Sequence, residues 1–179
     1  MKFMIVSDIH GSLAAARRIR DLYFEVKADK LLLLGDLLYH GPRNDLPEEY
    51  APKGVIEILN SLSDEIVAVR GNCEAEVDQM VLSFPCLSTT AVVYDGSVEL
   101  LLSHGHIYSE KTLPPGKGCF LYGHTHIPVA HRIENRVAFN PGSVSIPKGG
   151  FPASYGLYEE GVLSVRRLDD SSELMSIEV

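Results

Sequence analysis

Five short apolar runs in this chain each lead within a residue or two into a residue type that binds metal. Phe3–Val6 leads through Ser7 into Asp8, Ile9 and His10, and Leu31–Leu34 leads through Gly35 into Asp36. Ile66–Val69 leads through Arg70 and Gly71 into Asn72, and Leu100–Leu102 leads through Ser103 into His104. Phe120–Tyr122 leads through Gly123 into His124, Thr125 and His126. Buried strands read as continuous apolar runs, and open α/β sheets place ligands beyond the carboxyl ends of their strands. An α/β architecture would thus bring two carboxylates, one amide and four imidazoles to a single edge, enough donors for two divalent ions.

At 179 residues the chain is long enough for a layered core and is read as one domain, residues 1–179. A formal net charge of −8 disfavours a general nucleic-acid surface, which would need a basic patch. It does not exclude a phosphate-bearing substrate, because bound cations reverse the local sign. Cys73, Cys86 and Cys119 are odd in number and far apart, so no disulfide framework is expected. The run Phe3–Val6 is too short for a secretory leader, and no stretch approaches a membrane span. A soluble, cytoplasmic protein is expected.

Residues 2–7, 31–35 and 65–70 read as buried strands. Helical spacing over 12–27, with Ser12 as cap, and over 53–62 places helices between them; a short helix is expected over 74–82. A long Pro-, Gly- and Asn-rich loop fills 37–52. After Pro85 the runs at 89–94, 97–103, 118–123, 128–133, 136–140, 154–159 and 161–168 read as strands. Turn residues punctuate them, including a hairpin at Asp95-Gly96, although beyond 140 irregular structure competes.

Asp8 and His10 are two residues apart, as are His124 and His126, so extended segments would point each pair to one side. Asp36 is the natural bridge, giving one oxygen to each ion. Mixed nitrogen and oxygen donors without thiolate suit Mn²⁺, Fe²⁺ or Zn²⁺ better than Ca²⁺. Ser12 and Ser143 lack a partnered base and are poor nucleophiles.

The ordered set Asp8-Ile9-His10, Gly35-Asp36, Gly71-Asn72, His104 and Gly123-His124-Thr125-His126 resembles that of the calcineurin-like metallophosphoesterases, over nearly the whole chain. His40-Gly41-Pro42-Arg43-Asn44, Gly71-Asn72-Cys73-Glu74 and Asn140–Pro147 narrow the resemblance to the small bacterial phosphodiesterases of that family. The resemblance implies a four-layer α/β/β/α sandwich, two facing mixed sheets flanked by helices. It implies two divalent ions, Mn²⁺ first, with Fe²⁺, Zn²⁺, Ni²⁺ or Co²⁺ as alternatives. Asp8, His10, Asp36 and His126 would hold one ion, and Asp36, Asn72, His104 and His124 the other. The implied reaction is hydrolysis of small phosphodiesters by in-line attack of a water or hydroxide between the ions. Small members of the family often self-associate, so a homo-oligomer is one expectation.

Many family members carry His after the Gly-Asn pair; here it is Cys73, a substrate-selecting position and a candidate proton donor, or a packing residue. Arg43 and Asn44 are candidate contacts to a phosphate or leaving group, or an exposed loop pair, and His40 is a candidate contact or a surface residue. His106 is expected beside the ligands, His131 away from them, and Asn140–Ser143 as a buttress. The acidic stretch Asp45–Tyr50 is read as surface, or as a narrow acidic entrance disfavouring duplex nucleic acid. Two rival readings stand: a non-catalytic metal-binding interaction module of the same fold, as in a retromer subunit, and a phosphomonoesterase.

Overall fold

The computed structural model describes residues 1–179. Its first half is a β-α-β-α-β run: β1 (Lys2–Val6), α1 (Leu13–Glu25), β2 (Lys30–Leu33), α2 (Pro52–Asn60) and β3 (Ile66–Ala68). A four-residue helix α3 (Glu76–Gln79) follows, shorter than expected. Eight strands then succeed one another: β4 (Thr90–Asp95), β5 (Val98–Ser103), β6 (Cys119–Leu121), β7 (Val129–Ile133), β8 (Arg136–Asn140), β9 (Ser154–Glu159), β10 (Val162–Arg167) and β11 (Glu173–Glu178).

The strands form two mixed sheets, ordered β11-β10-β9-β1-β2-β3 and β4-β5-β6-β8-β7. Strands β1, β2 and β3 run parallel, as do β5, β6 and β8. Their alternation sorts the core. Met4, Val6, Leu31, Leu33, Ile66 and Ala68 face Ile19, Leu22, Val55 and Leu59 of the helices. Phe3, Ile5, Leu32, Leu34 and Val69 face Leu100, Leu102, Cys119, Leu121, Val137 and Phe139 of the other sheet. Both faces of these strands are buried, which is why each reads as an unbroken apolar run. The two facing mixed sheets expected from the sequence are what the chain forms, flanked by few helices and without a helical layer on the second sheet. The helices gather on the first sheet; on the second, Leu101, Phe120, Tyr122 and Ala138 are covered by Tyr108 and Leu113 from an irregular segment.

The helix boundaries follow local chemistry. Ser12 accepts the Ala15 N–H at 3.2 Å and caps α1, and Pro52 sits in the first turn of α2, where its missing N–H costs nothing. The β4–β5 hairpin closes on Gly96 and Ser97, one residue later than expected, because Asp95 still pairs with Val98. At the β9–β10 turn Glu160 and Gly161 both take positive φ (50° and 80°), matching the right-handed twist of the flanking strands.

Strand β11 lies outside every strand expected from the sequence. None of its six residues is buried and both ends are Glu, so no apolar run betrays it. It exists as a ladder on β10, with a register shift between Val165 and Arg166.

Gly156 on β9 marks a tight approach of Phe139 from the other sheet. A Cβ there would lie 2.7 Å from Phe139 Cε1 and 3.1 Å from Ile5 Cβ. Gly156→Ala is expected to destabilise the fold by about 1–3 kcal/mol through overpacking, readable in a urea titration. A midpoint unchanged from the parent protein would mean that the sheets have room to spare.

Candidate metal centre

The loops beyond β1, β2, β3, β5 and β6 converge at one edge of the sandwich. Asp8, His10, Asp36, His104 and His126 are all nearly inaccessible there, at 3% exposure or less. They do not converge by simple extended alternation. Asp8, His10, Asp36, His124 and His126 all take left-handed backbone (φ 59°, 50°, 55°, 65° and 60°), a conformation costly for residues with a side chain and found mostly where function holds it in place. Each strand turns sharply at its end and aims the side chain back into the edge.

Donor atoms gather around Asp36. Its Oδ2 lies 3.7 Å from His10 Nε2 and 3.4 Å from His104 Nε2. Its Oδ1 accepts the Cys73 backbone N–H at 2.9 Å. The one-oxygen-per-ion bridge expected from the sequence is therefore not what the carboxylate offers; a single oxygen faces both groups of imidazoles. On one side, Asp8 Oδ1 lies 3.6 Å from His10 Nε2 and 3.3 Å from His126 Nε2, and those two nitrogens are 3.4 Å apart. On the other, Asn72 Oδ1 is 3.1 Å from His104 Nε2. His124 lines the same cleft with its ring 5.1 Å from that of His104, looser than the rest.

Backbone contacts fix the tautomers. His10 Nδ1 meets the Tyr39 carbonyl at 2.8 Å, His104 Nδ1 the Leu34 carbonyl at 2.7 Å, and His126 Nδ1 the Ile146 carbonyl at 2.6 Å. Donation from each Nδ1 makes Nε2 the free donor atom of the neutral ring, the arrangement metal-binding histidines adopt. Asp8 Oδ1, fully buried, has no hydrogen-bond partner. Lone pairs crowded in this way repel unless a cation sits among them, so these residues fit a metal site.

Without an ion, the facing carboxylates favour protons on the His10 and His104 rings, protons that a bound cation would displace. Burial would raise the Asp8 carboxyl, but His10 and His126 override it and hold it well below the usual range. Burial would lower His104, yet Asp36 and Asp8 raise it to about 9. His124 is lowered by burial and by its imidazole neighbours. Burial and the nearby Asp36 carboxylate push the Cys73 thiol up, and the thiol lies close to His10 and Asp36.

A second tier of contacts holds the loops. Ser7 Oγ donates to Asp8 Oδ2 at 2.6 Å, and Ser143 and Ser145 hydroxyls both donate to the Asp8 carbonyl. Asn140 Nδ2 donates to the Gly123 carbonyl, so the Asn140–Ser143 turn is a buttress as expected. Glu74 was legible only as part of a motif, and its work was not. Its Oε1 accepts from Leu37 N at 2.7 Å, and its Oε2 from Asp36 N at 2.9 Å and from Gly71 N. One buried carboxylate thus pins the β2 loop to the β3 loop; burial and the Asp36 charge raise it to about 7.

A cleft of about 460 Å³ opens over the cluster, lined by Arg43, Asn44, Asn72, Cys73, Thr125 and Lys148 among others. His40 does not line it; its ring packs edge-on against Tyr39 and Tyr50 at centroid distances of 4.7 and 5.3 Å. Asn44 spends its amide N–H on the His40 carbonyl. His106 stands beside the centre, 5.3 Å from the His104 ring, and His131 pairs instead with Glu110, away from it. Asp45–Tyr50 stays off the cleft, because Ser12 and Leu13 bind the Glu48 and Glu49 carbonyls, so the rim is not acidic. Lys148 and Thr125 at the cleft were not foreseen. Lys148 sits in a Pro-Lys-Gly-Gly stretch whose sequence signals only a loop.

The family model of the calcineurin-like phosphoesterase superfamily domain matches residues 1–161, and the chain belongs to that family. It is 49% identical to phosphodiesterase YfcE of Escherichia coli K12, across 100% of this chain and 98% of the relative. The solved structure of that phosphoesterase from E. coli superposes with a TM-score of 0.97 over the full length of both chains. Vps29 of Cryptosporidium parvum, 17% identical, shares the fold alone, at a TM-score of 0.67 over 99% of this chain and 98% of its own.

Proposed function

We propose that the chain, as one domain spanning residues 1–179, is a metal-dependent phosphodiesterase acting on small phosphodiesters. The observation that carries this reading is the orphaned Asp8 Oδ1 facing two tautomer-fixed Nε2 atoms, with Asp36 Oδ2 shared between that group and His104. Asp8, His10, Asp36 and His126 would hold one divalent ion; Asp36, Asn72, His104 and His124 the other. When bound, such ions supply Lewis acidity for the phosphoryl oxygens and make water a usable nucleophile near neutral pH. Mn²⁺ is the first choice on donor chemistry, ahead of Fe²⁺, Zn²⁺, Ni²⁺ and Co²⁺. The protein's own groups do the rest. Asp8 and Asp36 set the charge, Glu74 holds the Asp36 loop in register, and Asn72 and Cys73 face the substrate side of the cleft. The identity with a protein named a phosphodiesterase supports the same reading.

A complete donor set weighs against a binding module without catalysis, which would have no need to keep two buried carboxylates among four imidazoles. Three free thiols, Cys73, Cys86 and Cys119, support a reducing cytoplasmic location. No helix is long and apolar enough to cross a membrane. Self-association rests on the family alone, and sedimentation measures it.

Chelator-stripped protein is expected to cleave no ester and, after Mn²⁺ reconstitution, to cleave bis(4-nitrophenyl) phosphate faster than 4-nitrophenyl phosphate. Turnover of neither ester would favour the binding module, and preference for the monoester would favour a phosphomonoesterase. Cys73 also sets an expectation. It lines the cleft beside Asp36, where a thiol is a poorer proton donor to a leaving alkoxide than an imidazolium. Cys73→His is expected to extend cleavage toward poorer leaving groups by about tenfold relative to nitrophenyl esters. An identical substrate profile would reduce Cys73 to packing.

A further inference from the structure

Two cations at the cleft have no counter-charge in the protein. Arg43 and Lys148 line it, and neither side chain makes an ion pair or a hydrogen bond. Arg17, Arg18, Arg20 and Arg167 each meet a carboxylate, whereas Arg43 and Lys148 are unpaired cations that line the same cleft as His10 and Asp36.

Both cations are held at the cleft by their backbones. Arg43 sits in the turn Gly41–Asn44, which closes through Asn44 N to the Gly41 carbonyl and Asn44 Nδ2 to the His40 carbonyl. Gly41 in that turn lies against Cys73, since a Cβ there would be 3.5 Å from its Sγ. Lys148 donates its backbone N–H to the His126 carbonyl at 3.1 Å, and its own carbonyl accepts from Phe151 N. One cation therefore comes from the loop beyond β2 and the other from the segment between β8 and β9. Of the carboxylates nearby, Asp8 and Asp36 point at the imidazoles of the metal centre, and Glu74 accepts from three backbone N–H groups.

A simple phosphodiester brings one negative charge, and that charge is answered where the reacting phosphate binds. Two further cations flanking that place call for a second anionic group. We propose, resting on the phosphodiesterase reading, that Arg43 and Lys148 bind a second phosphate carried by the substrate outside the bond that is cut. The preferred substrates are then small phosphodiesters with an additional phosphoryl group, such as a nucleotide diester phosphorylated elsewhere on the sugar. Guanidinium suits a forked contact to phosphate and ammonium a point contact. A cleft of about 460 Å³ has room for a ligand of that size.

Calorimetry on Mn²⁺-reconstituted protein would compare thymidine 5′-phosphate with thymidine 3′,5′-bisphosphate. The bisphosphate is expected to bind about tenfold tighter, the worth of one charge-assisted contact surviving solvent. Arg43→Ala and Lys148→Ala should each narrow that gap, Lys148→Arg should preserve it, and Lys53→Ala, an exposed lysine on α2, should leave it intact. In parallel, kcat/KM would be measured for the 4-nitrophenyl diester of thymidine 5′-phosphate with and without a 3′-phosphate. Preference for the phosphorylated diester that collapses in both cleft variants supports the proposal. Equal affinities in the parent protein, or a gap untouched by both substitutions, overturn it. Equal cleavage of both diesters overturns it while leaving the phosphodiesterase reading standing. An affinity gap without cleavage of either diester supports the second phosphate site and contradicts the phosphodiesterase reading.

Discussion

Asp36→Asn should lower diester hydrolysis by about a hundredfold or more and strip the protein of metal. The two oxygens of Asp36 have different duties. Oδ2 faces His10 and His104, while Oδ1 accepts the Cys73 N–H. An amide cannot serve both. If its oxygen turns to the imidazoles, its NH₂ opposes the Cys73 N–H; if it turns the other way, its NH₂ points at the cation site. Either rotamer also removes the charge that two divalent ions would share. Elemental analysis of the purified variant, with circular dichroism to confirm folding, reads the effect directly. Parent-like metal content and turnover would rule out Asp36 as the bridge.

Glu74→Ala is the change expected to cost most in stability. Removing the carboxylate leaves the N–H groups of Asp36, Leu37 and Gly71 without an acceptor in a site 3% exposed. Each unmet buried donor costs about 1–3 kcal/mol, and partial hydration of the gap brings the total to about 3–5 kcal/mol. For a chain of this length that is a fall in Tm of roughly 10 °C. The loops beyond β2 and β3 would also lose register, so metal affinity should drop although Glu74 offers no atom to an ion. Scanning calorimetry with a metal titration measures both. A Tm shift below about 3 °C would show that the three N–H groups find other partners.

Much of the centre was legible because its residues stand next to strands that are buried on both faces. Leu31–Leu34 followed by Gly35-Asp36 announces a strand, its end and a carboxylate at that end in six letters. The helices were legible from the spacing of Ala16, Ile19 and Tyr23 on α1 and of Val55 and Leu59 on α2. Other features left no such trace. β11 escaped because edge pairing needs backbone, not an apolar pattern. The left-handed φ of Asp8, His10, His124 and His126 escaped because nothing but tertiary contacts enforces it on residues other than glycine. Glu74 and Lys148 act through loop geometry: one reaches back 37 and 38 residues to Leu37 and Asp36, and the other is anchored on the His126 carbonyl. His40 read either as a surface residue or as a substrate contact; its ring packs against Tyr39 and Tyr50 and does not line the cleft.

Anomalous diffraction from crystals soaked in Mn²⁺ would settle whether the converging side chains are a binuclear centre. Two manganese peaks should stand on either side of Asp36 Oδ2, one among Asp8, His10 and His126, the other beside Asn72, His104 and His124. A map with no manganese at that edge of the sandwich, or with ions held only elsewhere on the protein, would contradict the assignment of this chain as a two-metal hydrolase.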